Sequence, residues 1–235
     1  MEYFYQPNII EDTLYLDEEE SKHCARVLRK KTEDQIIVID GEGGVYTCKI
    51  TALHHKKVEF EIIEKKTINK TKHSIHLIIA PTKNTDRIEW FLEKSIEVGV
   101  HQISFINCEN SERHRLNMSR IKKKVISAIK QCQNPYLPAV NDILSLKDYL
   151  RFADQDSEKY ICHASSGKGN FLLNSATKHA SYQVLIGPEG DFTKEEVIMA
   201  EKMGFLPVSL GDSRLRTETA GLVASVLLNA LNMEG

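Results

Sequence analysis

The chain has 235 residues, 41% hydrophobic and 27% charged, with a formal net charge of −2. This length buries a core without disulfide or metal staples, and the composition excludes a disordered or membrane-embedded chain. The cysteines (Cys24, Cys48, Cys108, Cys132 and Cys162) are odd in number and include no CxxC pair, which argues against a disulfide framework or structural zinc and for a reducing compartment. The start, MEYFYQPN, lacks the basic-then-apolar pattern of a secretory leader. No aliphatic run approaches the ~20 residues of a membrane helix. The expectation is a soluble, cytoplasmic protein with no metal and no membrane partner.

In chain order, Asp17 to Leu28 reads as a helix capped by Asp17. Gln35 to Ile39 reads as a strand, residues 40–44 (DGEGG) as a turn, and Val45 to Leu53 as the returning strand. Lys57 to Ile63 alternates, with Val58, Phe60 and Ile62 on one face. The polar, lysine-rich stretch Glu64 to Lys72 is the predicted linker, giving a β-rich domain over residues 1–70 and a second domain over 73–235.

Beyond the linker, strands and helices alternate. Ile75 to Ala80 is a strand that ends at Pro81. Ile88, Phe91, Leu92, Ser95 and Ile96 form the stripe of an amphipathic helix ended by Gly99. Ile103 to Ile106 is a strand, and Met118 to Cys132 a basic helix with Ile121, Val125, Ala128 and Ile129 inward. Tyr160 to Cys162, Val184 to Ile186 and Leu206 to Leu210 are further strands, and Thr193 caps a helix to about Met203. The last helix, from near Arg216 to Leu231, is apolar on most sides, so it is buried in the core or at an interface. The alternation predicts an α/β fold with a mostly parallel sheet.

Two stretches carry the candidate chemistry. In LIGPEGDFT, Leu185 to Thr193, a strand runs through two glycines into a capped helix. The glycines allow positive φ and close approach of a ligand, at the strand ends where open α/β sheets bind ligands. In LGDSRLRTETA, Leu210 to Ala220, a strand again leads into a helix. Thr217 as cap and Glu218 in the first turn explain two of its residues. Arg216 has no such explanation, because a helix N-terminus disfavours a cation. The two turns can lie side by side at one sheet edge.

The remaining features are weaker. Ser165 to Gly169 (SSGKG) lacks the first glycine and the final Ser/Thr of a phosphate-binding loop and reads as an ordinary loop. His73 and His76 have no third ligand nearby, and His54-His55 reads as a turn or exposed pair. Basic clusters at Lys22–Lys31 and Arg113–Lys124 fit either phosphate binding or a solvated face.

IGPEGDF, LGDSRLRTETA, the Lys83–Val100 stretch with Lys94, Glu97, Gly99 and Val100, and HCARVLRKK (His23 to Lys31) occur together in one order. In these motifs the chain resembles the ribosomal RNA small subunit methyltransferase E family, of the knotted SPOUT class. It departs at Tyr3, where the family commonly has a nearby arginine, and at Lys130 and Asn134 in AIKQCQN.

The resemblance implies a small N-terminal PUA-like or OB-like β-barrel that grips RNA and a C-terminal α/β domain with a trefoil knot. It implies a homodimer that uses S-adenosyl-L-methionine to methylate N3 of a uridine in small-subunit (16S) ribosomal RNA, as naked RNA or an assembled 30S particle. The donor is then expected around Leu185, Ile186, Gly187, Gly190, Leu210, Gly211, Leu215, Arg216, Thr217 and Ala220. His23, Arg26, Arg29 and Lys30 are expected on RNA phosphates. Arg216 is the candidate stabiliser of charge on the uracil ring and Glu218 a candidate proton acceptor. The competing readings are another SPOUT enzyme acting on transfer RNA or a ribose 2′-hydroxyl, and a non-catalytic RNA-binding or ribosome-assembly protein.

Overall fold

The computed structural model describes residues 2–163 and 170–233. The SSGKG stretch lies outside the described residues. The chain divides into two compact units, Met1–Lys70 with Ile126–Leu137, and Thr71–Val125 with Pro138–Gly235.

The first unit is built on a five-stranded sheet. Its strands are β1 (Tyr3–Tyr5), β2 (Tyr15–Leu16), β3 (Gln35–Ile39), β4 (Gly44–His54) and β5 (Lys57–Thr67), in the order β1-β3-β4-β5-β2. Phe4, Leu16, Ile36, Val38, Tyr46, Cys48, Ile50, Val58 and Phe60 form its core. Asp40 organises the β3–β4 turn. Its Oδ1 accepts from the backbone N–H of Glu42 at 2.7 Å and of Gly44 at 2.9 Å, and its Oδ2 accepts from the Tyr46 hydroxyl at 3.1 Å.

The predicted linker starts too early. Strand β5 runs to Thr67 because β4 pairs with it over its whole length, Gly44 opposite Thr67. The Glu/Lys run of 64–66 is an exposed strand, so only about half of the polar stretch connects. Ile62 was expected beside Val58 and Phe60; it pairs with Cys48 but is 40% exposed.

The Asp17 helix forms, with the Asp17 carboxylate accepting from the Glu20 N–H. It is α-helical only over α1 (Glu18–Lys22) and continues as a π-helical turn, His23–Val27. Glu20, 7% exposed, forms an ion pair with Lys130 of the 126–137 segment. Burial raises the Glu20 carboxyl pKa, and Lys130 opposes that rise. Lys130 thus supplies the partner that a buried acid requires.

The second unit carries six parallel strands: β6 (Ser74–Ile79), β7 (Gln102–Asn107), β8 (Ala139–Ser145), β9 (Glu158–Cys162), β10 (Ser181–Ile186) and β11 (Leu206–Val208). Their order is β11-β9-β10-β6-β7-β8. Helices are α2 (Thr85–Glu97), α3 (Met118–Cys132, of which Ile126 onward belongs to the first unit), α4 (Leu146–Phe152), α5 (Leu172–Ser175), α6 (Lys194–Lys202) and α7 (Thr217–Asn232).

All five residues of the predicted α2 stripe are buried, and Gly99 turns the chain with φ +93°. Ile121, Val125, Ala128 and Ile129 of α3 are likewise buried. Helix α6 has a full capping box between Thr193 and Glu196. The strand expected to reach Leu210 ends at Val208. Among the described residues no helix is long and apolar enough to cross a membrane.

The sheet order places the site. The chain adds β7 and β8 on one side of β6, then returns to build β10, β9 and β11 on the other. Open parallel sheets bind ligands at the carboxyl ends of their strands. Because β11, β9 and β10 are consecutive neighbours, the loops leaving all three share one edge.

Candidate active site

The turn after β10 and the loop after β11 face each other across a cleft of about 650 Å³. This volume lies within the roughly 300–1,000 Å³ of small-molecule sites. The two glycine-bearing segments therefore come together as expected, but β9 stands between their strands. The cleft consequently has a third wall, Cys162 and His163 at the end of β9, which carries no motif and was missed in the sequence.

A hydrogen bond joins the two main walls. Thr217 is 5% exposed, and its hydroxyl donates to the Gly187 carbonyl at 3.0 Å. The expected capping role of Thr217 is thereby corrected. The cap of α7 is Arg216, extended at φ −70° and ψ 155°, with no side-chain cap bond. Thr217 is the first helical residue, and its hydroxyl points back to the neighbouring turn.

Replacing Thr217 with Val removes the donor and leaves a buried carbonyl without it. This is expected to cost about 1–3 kcal/mol of stability, read by urea unfolding. A loss below about 0.5 kcal/mol, the scatter of ordinary surface changes, contradicts the clasp.

The positive φ expected at the glycines falls on Asp191 instead, at +63°. Gly190, expected at the donor, does not line the cleft and is needed for packing. A Cβ there would sit 2.9 Å from Asn110 Cβ, and the Asn110 amide donates to the carbonyls of Gly190 and Asp191 at 3.2 and 3.0 Å. Gly187 lines the cleft, and a Cβ on it would meet the Phe192 ring at 3.0 Å.

Of the remaining candidates, Ile186, Leu210, Gly211, Leu215, Arg216 and Ala220 also line the cleft. Leu185 does not. It is fully buried in the core with Ile78, Ile106 and Ile161. Glu218 does not line the cleft either. It is 6% exposed, and its Oε1 lies 3.7 Å from Arg87 Nε of α2. It borders a separate cavity of about 10 Å³, with Thr82, Ile88 and Phe91 among its walls.

Glu189, passed over in the sequence although it sits in the GPEG turn, ties that turn to the loop after β6. Its Oε1 accepts from the Lys83 N–H at 3.1 Å. Arg113, from the second basic cluster, donates to the carbonyls of Thr82 and Lys83. Asp191 Oδ2 lies 3.0 Å from His163 Nδ1 on the cleft wall. Burial pushes the Cys162 thiol pKa well above the ordinary thiol value, which keeps it protonated.

The RNA candidates lie on the first unit. His23, Arg26 and Arg29 are exposed and Lys30 is half-buried, with its ammonium 3.4 Å from the Gln35 carbonyl. Arg29 takes φ +53° where the π-helical turn ends. Among the described residues no cluster of three His, Cys, Asp or Glu side chains is placed to hold a metal ion.

Comparison with known proteins agrees with this geometry. The RNA methyltransferase domain family matches residues 69–229, and the RNA methyltransferase PUA domain family matches residues 16–63. The ribosomal RNA small subunit methyltransferase E of Buchnera aphidicola is 30% identical over 226 residues, 92% of this chain and 87% of that protein.

Solved structures match over nearly the whole length. A probable rRNA-methyltransferase from Porphyromonas gingivalis is 34% identical with a TM-score of 0.91, covering 99% of this chain and 98% of that one. The ribosomal RNA small subunit methyltransferase E of Neisseria gonorrhoeae, solved bound to S-adenosyl methionine, is 28% identical with a TM-score of 0.89 and the same coverage. This chain, with its N-terminal β unit and its cleft at the carboxyl ends of β9, β10 and β11 of a parallel sheet, belongs to the ribosomal RNA small subunit methyltransferase E family.

Proposed function

We propose that the protein is an S-adenosyl-L-methionine-dependent methyltransferase that modifies N3 of a uridine in small-subunit (16S) ribosomal RNA. The observation that carries this reading is the Thr217–Gly187 clasp, which closes two glycine turns around one cleft.

The residues present suit the donor. The cleft is large enough, its lining includes the apolar Ile186, Leu210 and Leu215, and its turns offer main-chain groups for an adenine edge. Gly187, Leu210, Gly211, Leu215, Thr217 and Ala220 would hold it. Leu185, one residue further back, supports from the core. When bound, the cofactor supplies an electrophilic methyl group on a sulfonium.

Uridine N3 lies on the pairing edge and carries a proton, so the base must be unpaired to be reached. As that proton leaves, negative charge grows on the ring, chiefly toward O2 and O4. Arg216 is exposed at the cleft and always protonated, so its guanidinium stabilises that charge. Glu218 faces Arg87 and borders the inner cavity, which suits fixing the start of α7 better than meeting the substrate.

His23, Arg26, Arg29 and Lys30 would hold RNA phosphates from the N-terminal unit. A homodimer fits the half-exposed Trp90 on α2 and Val226 on α7, 41% and 43% accessible. Mass mapping of ribosomal nucleosides from a strain lacking the protein tests the function. Loss of N3-methyluridine from small-subunit RNA is expected. Loss of a ribose methylation or of a transfer RNA modification instead would overturn it.

A further inference from the structure

The cleft carries a second cation that the reaction above does not use. Arg214 is exposed, lines the cleft, and forms no ion pair or hydrogen bond with any described residue. It lies two residues before Arg216, at the lip of the loop that follows Gly211. Gly211 takes φ +132°, and a Cβ there would meet nothing within 4 Å, so the loop stands clear of the body at that point. Asp212, on the same loop, pairs with neither arginine.

A methyl donor with a sulfonium and an ammonium against one carboxylate is a net cation. A guanidinium in the same cleft that no described residue pairs repels it unless an anion accompanies it. The start of α7, just beyond, adds a further positive end. A single-stranded RNA supplies two kinds of negative charge here, the ring that loses its proton and the phosphates that flank it. Arg214 and Arg216 line the same cleft two residues apart. One guanidinium can therefore meet the base while the other meets the backbone.

We propose that Arg214 binds a phosphate of the target nucleotide or its neighbour and so positions the base at Arg216. This rests on the methyltransferase reading above. A phosphate needs a charge more than a planar fork, whereas paired ring acceptors need the fork.

The test is steady-state methylation of the small-subunit RNA by Arg214→Ala and Arg214→Lys, with calorimetry of S-adenosylhomocysteine binding. Arg214→Ala should raise KM for RNA about tenfold and flatten the log KM against log salt slope by about 0.7–0.9, one phosphate contact. Its kcat at saturating RNA and its S-adenosylhomocysteine affinity should stay within twofold of the unaltered protein. Arg214→Lys should recover most of the KM. An unchanged KM for RNA, a parallel loss of S-adenosylhomocysteine affinity, or a lysine variant no better than alanine would each overturn the assignment. If the unaltered protein neither binds S-adenosylhomocysteine nor methylates the RNA, the methyltransferase reading itself fails, which is a distinct result.

Discussion

Arg216→Ala is expected to lower kcat by about 10²–10³, the usual loss when one preorganised donor to a developing anion is removed. Folding and donor binding should survive, for reasons visible in the structure. Arg216 is exposed and makes no side-chain cap bond to α7, so its truncation leaves no buried group unpaired. Its backbone carbonyl still accepts from the Ala220 N–H at 2.8 Å, and Thr217 still clasps Gly187 at 3.0 Å. Arg216→Lys should recover little, because an ammonium cannot fork across two ring acceptors. Single-turnover methylation at saturating RNA and donor separates this from weakened binding. Activity within threefold of the unaltered protein would remove Arg216 from the chemistry.

A second large effect belongs to the parallel sheet. His76 on β6 is mostly enclosed. Its Nε2 lies 2.8 Å from the Ser104 hydroxyl of β7, which also accepts from Asn141 of β8 at 2.9 Å, and Tyr149 stands edge-on to the ring. Burial lowers the His76 pKa to about 4, from an ordinary value near 6.5.

The fold thus binds neutral His76 in preference to the charged form. Its contribution is fully present above pH 6.5 and is lost as pH falls toward about 4, because the unfolded chain takes up the proton first. The loss should reach about 2–3 kcal/mol across that window. Urea unfolding at pH 7.5, 6 and 5 reads the decline. Subtracting the profile of His76→Gln isolates it, since that variant keeps a polar side chain but does not titrate. Parallel profiles for the two proteins would show that His76 is not the group responsible.

The chain states its own organisation unevenly. The α2 and α3 stripes were readable because a helix buried on one face repeats its apolar residues at a fixed interval. The two turns were readable because glycine, proline and a capping residue punctuate a strand-to-helix join. By contrast β8 and α4 gave no signal. Strand β8 sits at the sheet edge and exposes most of its side chains (only Val140 and Ile143 are half-buried), so apolar alternation is absent.

The candidate site was legible along the chain but not across the sheet. Nothing local in β9 announces that Cys162 and His163 stand between the two motif loops, since that depends on strand order. Thr217 shows the same limit. Its identity fits a cap, and only the position of Gly187 reveals that its hydroxyl is spent on another turn. The role open to Glu218 also turned on tertiary placement, because a first-turn acid can face either the cleft or the body of the protein, and here it faces Arg87.

The most direct measurement is a crystal structure grown with S-adenosylhomocysteine. The nucleoside should lie between residues 186–191 and 208–220, its adenine against Leu210 and Leu215 and its edge on main-chain groups, with the Thr217–Gly187 bond intact. Nucleoside density elsewhere on the chain, or a protein that binds it with that bond broken and the two turns parted, would contradict the account.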